Sequence, residues 1–347
     1  MTFKRGIPFL LMFVFCMKQL SGQTPGDALF SEQKPLDMSL KISISRIKDA
    51  KKDSVYLTHK LYYRSSPGPY DSLSVDLKGR GNFRYRECYF PPLWIKIKSK
   101  DAKGTVFEGN KKLKLVLPCY TRESGNTLII KEFLCYKLYE QITPYSFQTR
   151  LTNIDLTEER GRKNKTFKIK GILIEDMNKI ASRLQARPLA NVRINPAALN
   201  DTSTMRFELF QFMISNTDWS AVFQHNAKLI VQGTDKYVSL IYDFDMSGLV
   251  NAPYAVVSEI NGEKLNINSV TERYYRGYCH SPDVMEFVRR EFISKEEKLM
   301  AIPDQLKGEL SDKEIKGIKE YLREFFIILK DDRYFKIDIL DRCRSKQ

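Results

Sequence analysis

Apolar and polar residues alternate along several short stretches between residues 37 and 117, and this period of two is typical of half-buried β-strands. Turns rich in glycine and proline separate the stretches. This part of the chain is therefore predicted to form an antiparallel or mixed sheet. The clearest alternating stretches are SLKISISRI (39–47), LSVDLKGRG (73–81), LWIKIK (93–98) and KLKLVL (112–117).

The period changes at 126–143, where apolar residues recur every four positions and predict an amphipathic helix. Two more strands are predicted at 148–156 and 167–176, with the charged loop TEERGRKNK (157–165) between them. The apolar stretch 205–216 predicts a buried helix.

The last third of the chain is predicted to be helical, and two helix starts are marked by capping residues. Ser281 precedes Pro282, which is favoured in the first turn of a helix. Ser311 and Glu314 have the spacing of a capping box.

A β-hairpin is predicted between residues 226 and 245, where the strand-like stretches NAKLIVQ and YVSLIYDFD are joined by a short turn. If Gln232 faces Tyr237, Asn226 falls opposite Asp243. The polar ends of the two strands must then lie close together, because the register of a hairpin fixes which residues face each other.

The open end of this hairpin gathers acidic and amide side chains. Asp243 and Asp245 are expected on one face of the second strand, since side chains alternate along it. Asp218 lies just upstream, at the end of the predicted buried helix. These residues predict a metal and phosphate site, although Asn and Asp also serve as ordinary turn formers. The neighbouring His225 is expected to have a structural role, such as bonding to the backbone.

Phosphoryl transfer from a nucleotide requires few protein groups. Magnesium needs oxygen ligands, a carboxylate must orient or deprotonate the acceptor hydroxyl, and a lysine held by a glutamate pairs with the phosphates. In protein kinases the order is a catalytic aspartate, an asparagine, a hairpin and a second aspartate. This sequence has the same order in Asp218, Asn226, the hairpin and Asp243.

Composition indicates a globular protein with a sizeable core, since 42% of the 347 residues are hydrophobic. The net charge of +15 favours polyanionic partners or a solvated basic surface. Basic and aromatic residues alternate at 83–98, but Pro91 and Pro92 favour a sheet edge there, so we expect no nucleic-acid partner.

The N-terminus predicts an exported protein. Lys4 and Arg5 precede an apolar run at 7–17, which is the pattern of a signal peptide ending near residue 22. The run is too short to span a bilayer comfortably, so no stable membrane span is expected. Residues 23–36 are predicted to be a polar linker. Beyond the signal peptide, free thiols or one or two disulfides are expected among Cys88, Cys119, Cys135, Cys279 and Cys343.

From about residue 75 to 280 the chain resembles the CotH family of secreted, kinase-like bacterial proteins. Each motif is short, and their order along the chain carries the resemblance. The matching motifs are KGRGNFR (78–84), PPLWIKIK (91–98), a strand and helix spanning 113–143, KGILIED (170–176), NTDWS (216–220) and YDFD (242–245).

This resemblance implies an α+β, two-lobed atypical kinase-like fold. A β-rich N-terminal lobe with one main helix would span 37–176, and a largely helical C-terminal lobe would span 177–347. The implied function is an exported kinase that uses ATP with Mg²⁺ or Mn²⁺ to phosphorylate Ser or Thr of an unknown protein.

Carried over by position, the resemblance implies that Asp218 is the catalytic base and that Asn226 and Asp243 bind the metal, with Asp245 as a further candidate ligand. Lys96, Lys98 and Lys114 are alternatives for the lysine that pairs with the phosphates. The residues implied to contact the nucleotide are Arg80, Lys96, Lys98, Lys114, Glu132 and Glu175.

Two departures from the protein-kinase pattern keep a second function open. Asn226 follows Asp218 by eight residues instead of about five, and Trp219 stands where CotH-like loops often have arginine. The alternative is a catalytically inactive, pseudokinase-like binding protein of the cell envelope or surface.

Overall fold

A computed structural model describes residues 27–52, 54–189, 192–233, 236–260 and 263–346. The predicted signal peptide lies outside these residues, as does the first part of the predicted linker.

Seven strands form a closed barrel. They are β1 (Leu36–Ile42), β2 (Leu57–Arg64), β3 (Asp71–Gly79), β4 (Leu93–Ile97), β5 (Lys112–Val116), β6 (Thr149–Arg160) and β7 (Lys163–Ile174). Their order around the barrel is β1, β2, β3, β4, β5, β7, β6. Neighbours are antiparallel except β1 and β6, which close the barrel as a parallel pair from Leu36 beside Thr152 to Ile42 beside Glu158.

The two-lobed kinase-like fold expected from the resemblance is wrong. The strands do not form a separate β-sheet lobe above a helical lobe but a closed, mixed barrel with helices elsewhere in the chain. Alternation of apolar residues predicts single strands, but the pairing of β1 with β6 joins distant parts of the chain and leaves no local pattern. Closure is favourable because it removes unpaired strand edges.

The helices lie before, between and after the barrel strands. They are α1 (Ala28–Ser31), α2 (Ile44–Lys52), α3 (Phe83–Glu87), α4 (Ser99–Ala102), α5 (Glu123–Ile142), α6 (Met177–Arg183), α7 (Asp201–Met213), α8 (Pro282–Ser294), α9 (Glu296–Ala301), α10 (Asp312–Lys330) and α11 (Asp332–Phe335). Two short 3₁₀ segments (Pro196–Ala198 and Ile302–Leu306) and a π-helical segment (Lys336–Leu340) accompany them.

In the described part of the chain, five further strands lie outside the barrel. They are β8 (Arg187–Pro188), β9 (Ala227–Gln232), β10 (Lys236–Ile241), β11 (Glu259–Ile260) and β12 (Glu263–Lys264). Strands β8, β9 and β10 form one small sheet, and β11 pairs with β12.

Local signals place several elements correctly. The alternating stretches at 73–81, 93–98 and 112–117 become β3, β4 and β5, and the predicted helix at 126–143 becomes α5. The side chain of Ser281 accepts a hydrogen bond from the Val284 amide, which confirms it as an N-cap. The predicted capping box of Ser311 and Glu314 is also present.

Two local predictions are wrong. The stretch 39–47 is a strand only as far as Ile42, after which α2 begins. The charged stretch 157–165 is not a loop, because β6 and β7 continue through it and turn at Gly161, whose φ is +61°. Opposite charges face each other across this hairpin, as at Glu158 and Lys165, which helps polar strands to pair.

Two apolar cores lie inside the molecule. In the barrel, Leu77, Ile95 and Leu113 are buried cross-strand neighbours. The second core lies among α5, α7, α8, α10 and the small sheet. There Tyr136 packs edge-on against Phe244 with ring centroids 4.7 Å apart, so α5 directly contacts the segment that follows β10.

Two disulfides join Cys88 to Cys119 and Cys279 to Cys343. Cys135 is a free, buried cysteine in α5, and burial raises the pKa of its thiol. Across the residues that the structure describes, no helix is both long and apolar enough to cross a membrane.

The described part of the predicted linker packs against the barrel. Leu29 and Phe30 of α1 are buried. Arg150 of β6 is 1% exposed and donates hydrogen bonds to the carbonyl oxygens of Lys34 and Leu29, each at 3.1 Å. A guanidinium on the barrel thus holds the chain that leads into β1.

We expect Arg150→Met to lower the free energy of unfolding by about 3 kcal/mol, because two charge-assisted hydrogen bonds are lost and the buried carbonyl group of Leu29 loses a donor. Urea denaturation followed by circular dichroism measures the effect. The exposed Arg162 at the β6–β7 turn is the matched control, and Arg162→Met should change stability by less than about 0.5 kcal/mol. Equal effects of the two substitutions would contradict this role of Arg150.

Candidate functional site

The predicted hairpin exists, but its register differs by one residue from the expected one. Ala227 of β9 lies opposite Ile241 of β10, and the Tyr242 amide donates to the carbonyl of Asn226 at 3.2 Å. Asn226 therefore faces Tyr242 rather than Asp243. The strand ends at Ile241, and Asp243 has a φ of +69°, so the alternation that should have carried Asp243 and Asp245 onto one face stops there.

Asp243 and Asp245 nevertheless converge, because both lie near one guanidinium. Arg84 of α3 is buried and donates to Oε2 of Glu132 at 3.0 Å and to the Leu117 carbonyl at 3.1 Å. Its Nη1 lies 3.8 Å from Oδ1 of Asp243, and its Nε lies 3.6 Å from Oδ2 of Asp245. We call Arg84, Glu132, Asp243 and Asp245 the charge cluster.

The charge cluster places three carboxyl groups around one buried cation. Burial raises the pKa of Glu132 and raises that of Asp245 well above its usual range, and Arg84 opposes both shifts. Burial alone would lower the pKa of Arg84, but the surrounding acids raise it. Oε1 of Glu132 and Oδ2 of Asp245 are buried without a hydrogen-bond partner. The cluster therefore holds more acidic groups than cations.

Arg84 is the site residue that sequence reasoning missed. It ends the motif KGRGNFR, in which only Arg80 had been considered as a ligand-binding residue. The sequence held one indication of such a residue, because acidic residues in elements that are buried need a cation nearby. One of Lys96, Lys98 and Lys114 was expected to be the cation held by a glutamate, whereas Glu132 pairs with Arg84.

Asp218 is held by the two polar residues that precede β9. Asn226 donates through Nδ2 to Oδ2 and to the carbonyl oxygen of Asp218, both at 2.8 Å. Nε2 of His225 lies 2.7 Å from Oδ1 of Asp218. This hydrogen bond is the main cause of the raised pKa of His225, and burial partly opposes it. His225 thus bonds the Asp218 side chain as well as pairing through its backbone with Ser220.

The backbone around Asp218 is locally strained. Gln224, Asn226 and Asp243 all adopt positive φ values, between +48° and +69°, which L-amino acids rarely adopt. Such conformations cost free energy and concentrate at functional sites. Trp219 is buried, and its ring centroid lies 4.7 Å from that of Phe207.

Lys114 is the one buried lysine among the three considered for phosphate pairing. Its Nζ lies 4.1 Å from the ring centroid of Tyr242 and 4.6 Å from that of Phe147. Its pKa is lowered to about 7, mainly by burial and also by Arg80, while Asp243 opposes the shift. No carboxylate in the described part of the chain forms a salt bridge with it. Lys96 and Lys98 are exposed on the barrel surface.

Arg80 and Glu175 are the two remaining residues predicted to bind the nucleotide. Arg80 lies over the ring of Trp94, at 5.3 Å from its centroid, and Trp94 pairs in register with Lys114. Arg80 therefore lies on the same side of the barrel as Lys114. Glu175 has a structural role, because it accepts hydrogen bonds from Arg183 at 2.7 Å and from the Gln148 amide at 2.6 Å.

An open cleft of about 1880 Å³ reaches Asp218 and His225. Asn226, Asp243 and Lys114 do not line it. Asp218 thus lines the cleft on one side. On its other side it accepts hydrogen bonds from Asn226, which precedes β9. Within the described ranges, no three acidic, histidine or cysteine side chains are grouped closely enough to hold a metal ion by themselves.

We expect Arg84→Met to lower the free energy of unfolding by about 3–5 kcal/mol at pH 8, because it leaves buried carboxylates without their cation. An acid whose pKa is raised by folding stabilises the folded state in its protonated form. That contribution is present below the unfolded pKa and is lost as the pH rises through the folded pKa.

The deficit of Arg84→Met should therefore shrink as the pH falls from 8, because Glu132 and Asp245 need no cation once they are protonated. Denaturant titrations at several pH values measure it. Arg86→Met, on the exposed face of the same helix, is the control and should be nearly neutral at every pH. A deficit independent of pH would contradict the coupling between Arg84 and these buried acids.

We also expect the imidazole of His225 to titrate above the ordinary histidine pKa, because Asp218 stabilises the protonated ring. Asp218→Asn removes that charge and should bring the pKa of His225 back down. NMR titration of the histidine ring protons checks both values. His59, whose pKa burial lowers, is an internal reference and should not respond to the substitution.

Comparisons with known proteins do not extend this description. No protein-family model matches the chain, and no curated protein is similar enough to count as a relative. The functional inference therefore depends on the geometry around Lys114, the charge cluster and Asp218.

Proposed function

We propose that this protein is a phosphotransferase that moves the terminal phosphate of ATP to a Ser or Thr hydroxyl of a protein, with Mg²⁺ or Mn²⁺. The observation that carries the proposal is Lys114, a buried lysine without a salt-bridge partner among the described residues, placed near Asp243 at the end of the hairpin. The motif order that resembles the CotH family supports the same activity.

A buried ammonium group without a carboxylate partner is unfavourable unless an anion arrives from outside. Lys114 contacts aromatic rings, which attract a cation but do not replace a counter-ion. Arg80 lies on the same side of the barrel and lowers the pKa of Lys114, so two cations share this region. Two cations beside an aromatic surface suit the phosphates and base of a nucleotide.

The residues present also fit a divalent cation. Asp243 is 29% exposed and directly follows Tyr242, which faces Asn226, so a carboxylate and an amide lie at the same end of the hairpin. Magnesium is usually held by one or two carboxylates together with substrate phosphates, so a cage of three acids is not needed. Asp245, expected as a further ligand, is buried against Arg84 and would support the site from behind. A bound cation would offset the negative charge of the cluster.

Asp218 suits the role of the base. It lines the open cleft, and its two carboxylate oxygens are oriented by Asn226 and His225. In the proposed step the acceptor oxygen forms a bond to the terminal phosphorus of ATP while the bond from that phosphorus to the bridging oxygen of ADP breaks. The hydroxyl proton passes to Asp218.

A catalytically inactive binding protein is the second candidate. One observation favours it: both carboxylate oxygens of Asp218 are already hydrogen-bonded within the protein. A base engaged in this way must exchange or share a partner before it accepts a proton. The same nucleotide could then be bound without being cleaved.

The two disulfides support a location outside the reducing cytoplasm, because such bonds persist in oxidising compartments. Together with the signal-peptide pattern, they favour export to the periplasm, the cell surface or the medium.

We expect ATP with Mg²⁺ to raise the melting temperature by about 5 °C when its concentration is about a hundredfold above Kd. Lys114→Met and Asp243→Asn should abolish this shift. Lys114→Met should also leave the protein without nucleotide as stable as wild type or more so, since a buried unpaired cation is removed. The exposed Lys98→Met is the control and should keep the shift.

Asp218→Asn separates binding from catalysis within this experiment. It should keep the nucleotide-induced shift and lower transfer of radiolabel from ATP by at least about a hundredfold. Binding without transfer by the wild-type protein would favour the inactive alternative. Absence of any shift in wild type would refute the nucleotide site.

A further inference from the structure

We propose that the open cleft beside Asp218 is a binding site for acidic polypeptide segments. Its use as the acceptor site for phosphate rests on the proposed function. Binding itself does not, because the cleft residues that carry it are separate from Lys114 and the charge cluster.

Three arginines line the cleft, and each lies over an aromatic ring. Arg276 lies 5.4 Å from a ring centroid of Trp219, Arg344 lies 4.7 Å from that of Tyr278, and Arg193 lies 4.9 Å from that of Phe223. A guanidinium near an aromatic ring keeps in-plane N–H groups that can bind a carboxylate in a bidentate manner. The repeated arrangement favours recognition of anions.

These arginines lack close ionic partners, although the Asp218 carboxylate acts on Arg276 at longer range. Within the residues described, none of the three forms a salt bridge, and the Nε atoms of Arg276 and Arg344 are buried without a hydrogen-bond partner. Burial lowers the pKa of Arg276 to about 10, so it stays charged at neutral pH. The cations of the cleft, including Lys264, outnumber the described carboxylates that line it, Asp218 and Glu259.

The C-terminal segment holds Arg344 in place. Its amide donates to the carbonyl of Gly277 at 2.9 Å, and its carbonyl accepts from the amide of Cys279 at 2.8 Å. The disulfide between Cys279 and Cys343 fixes the adjacent residues covalently. Arg344 therefore lines the cleft from a fixed backbone, although it lies close to the end of the chain.

The walls favour a peptide over other polyanions. Phe223 and Val256 line the cleft and are 65% and 67% exposed, which is unusual for apolar side chains. Exposed apolar groups beside cations fit a chain that has both apolar and acidic side chains. A nucleic acid would use its phosphates but would leave Val256 and its neighbours without a matching apolar partner.

The test is fluorescence anisotropy without nucleotide, using a labelled peptide that contains glutamates, a serine and two apolar residues. Peptides with each Glu replaced by Gln or Lys are the ligand controls. We expect Arg193→Gln, Arg276→Gln and Arg344→Gln each to weaken binding about tenfold. Arg290→Gln makes the same charge change at an exposed side chain of α8 outside the cleft. It should change peptide affinity by less than about twofold.

Folding of each variant is checked by circular dichroism, and Arg344→Lys gives a second measurement that keeps the charge. It should bind the peptide with intermediate strength, because an ammonium lacks the bidentate geometry. Cys343→Ser frees the segment that carries Arg344 and should weaken binding to a similar degree.

Three outcomes would overturn the proposal. They are equal binding of the Glu and Gln peptides, equal effects of the cleft variants and Arg290→Gln, and tighter binding of a single-stranded oligonucleotide than of the peptide. Lys114→Met should bind the peptide like wild type. Peptide binding without phosphate transfer would therefore reject the proposed function and leave this inference standing.

Discussion

The pairing of Arg84 with three acids is the interaction on which the candidate site depends. It connects α3, which follows the barrel strand β3, to Glu132 in α5 and to the segment after β10. Because the guanidinium is buried, each of these elements must be in place before the charges can be matched. The barrel and the helical part of the chain are thereby joined at the point where the proposed metal ligands lie.

In protein kinases a lysine–glutamate pair serves the phosphates, whereas here Glu132 pairs with Arg84 and Lys114 has no salt bridge to a carboxylate among the described residues. Under the proposed function, Lys114 is therefore available to an incoming anion. The structural ion pair and the ligand-binding cation would then be separate residues. The proposal also gives a role to a buried lysine whose pKa is lowered to about 7.

Local patterns in the sequence predicted most strands, α5 and both helix caps, because alternation and capping depend on neighbouring residues. They did not predict closure of the barrel through β1 and β6 or the partner of Glu132, since both depend on contacts between distant parts of the chain. The hairpin was predicted one residue out of register because Gln232 pairs with Lys236 instead of Tyr237, and the sequence did not fix the length of the turn. Proximity of Asp218, Asn226 and the hairpin end was predictable, while the hydrogen bonds of His225 were not.

The disulfide between Cys88 and Cys119 has a consequence for when the site can form. Cys88 directly follows α3, and Cys119 follows Leu117, whose carbonyl accepts a hydrogen bond from Arg84. The covalent bond therefore holds the short helix against the end of β5 and limits the positions that Arg84 can adopt. A reduced chain lacks this constraint on a five-residue helix. Oxidation of Cys88 and Cys119 therefore favours assembly of the charge cluster, because it restricts the helix that carries Arg84.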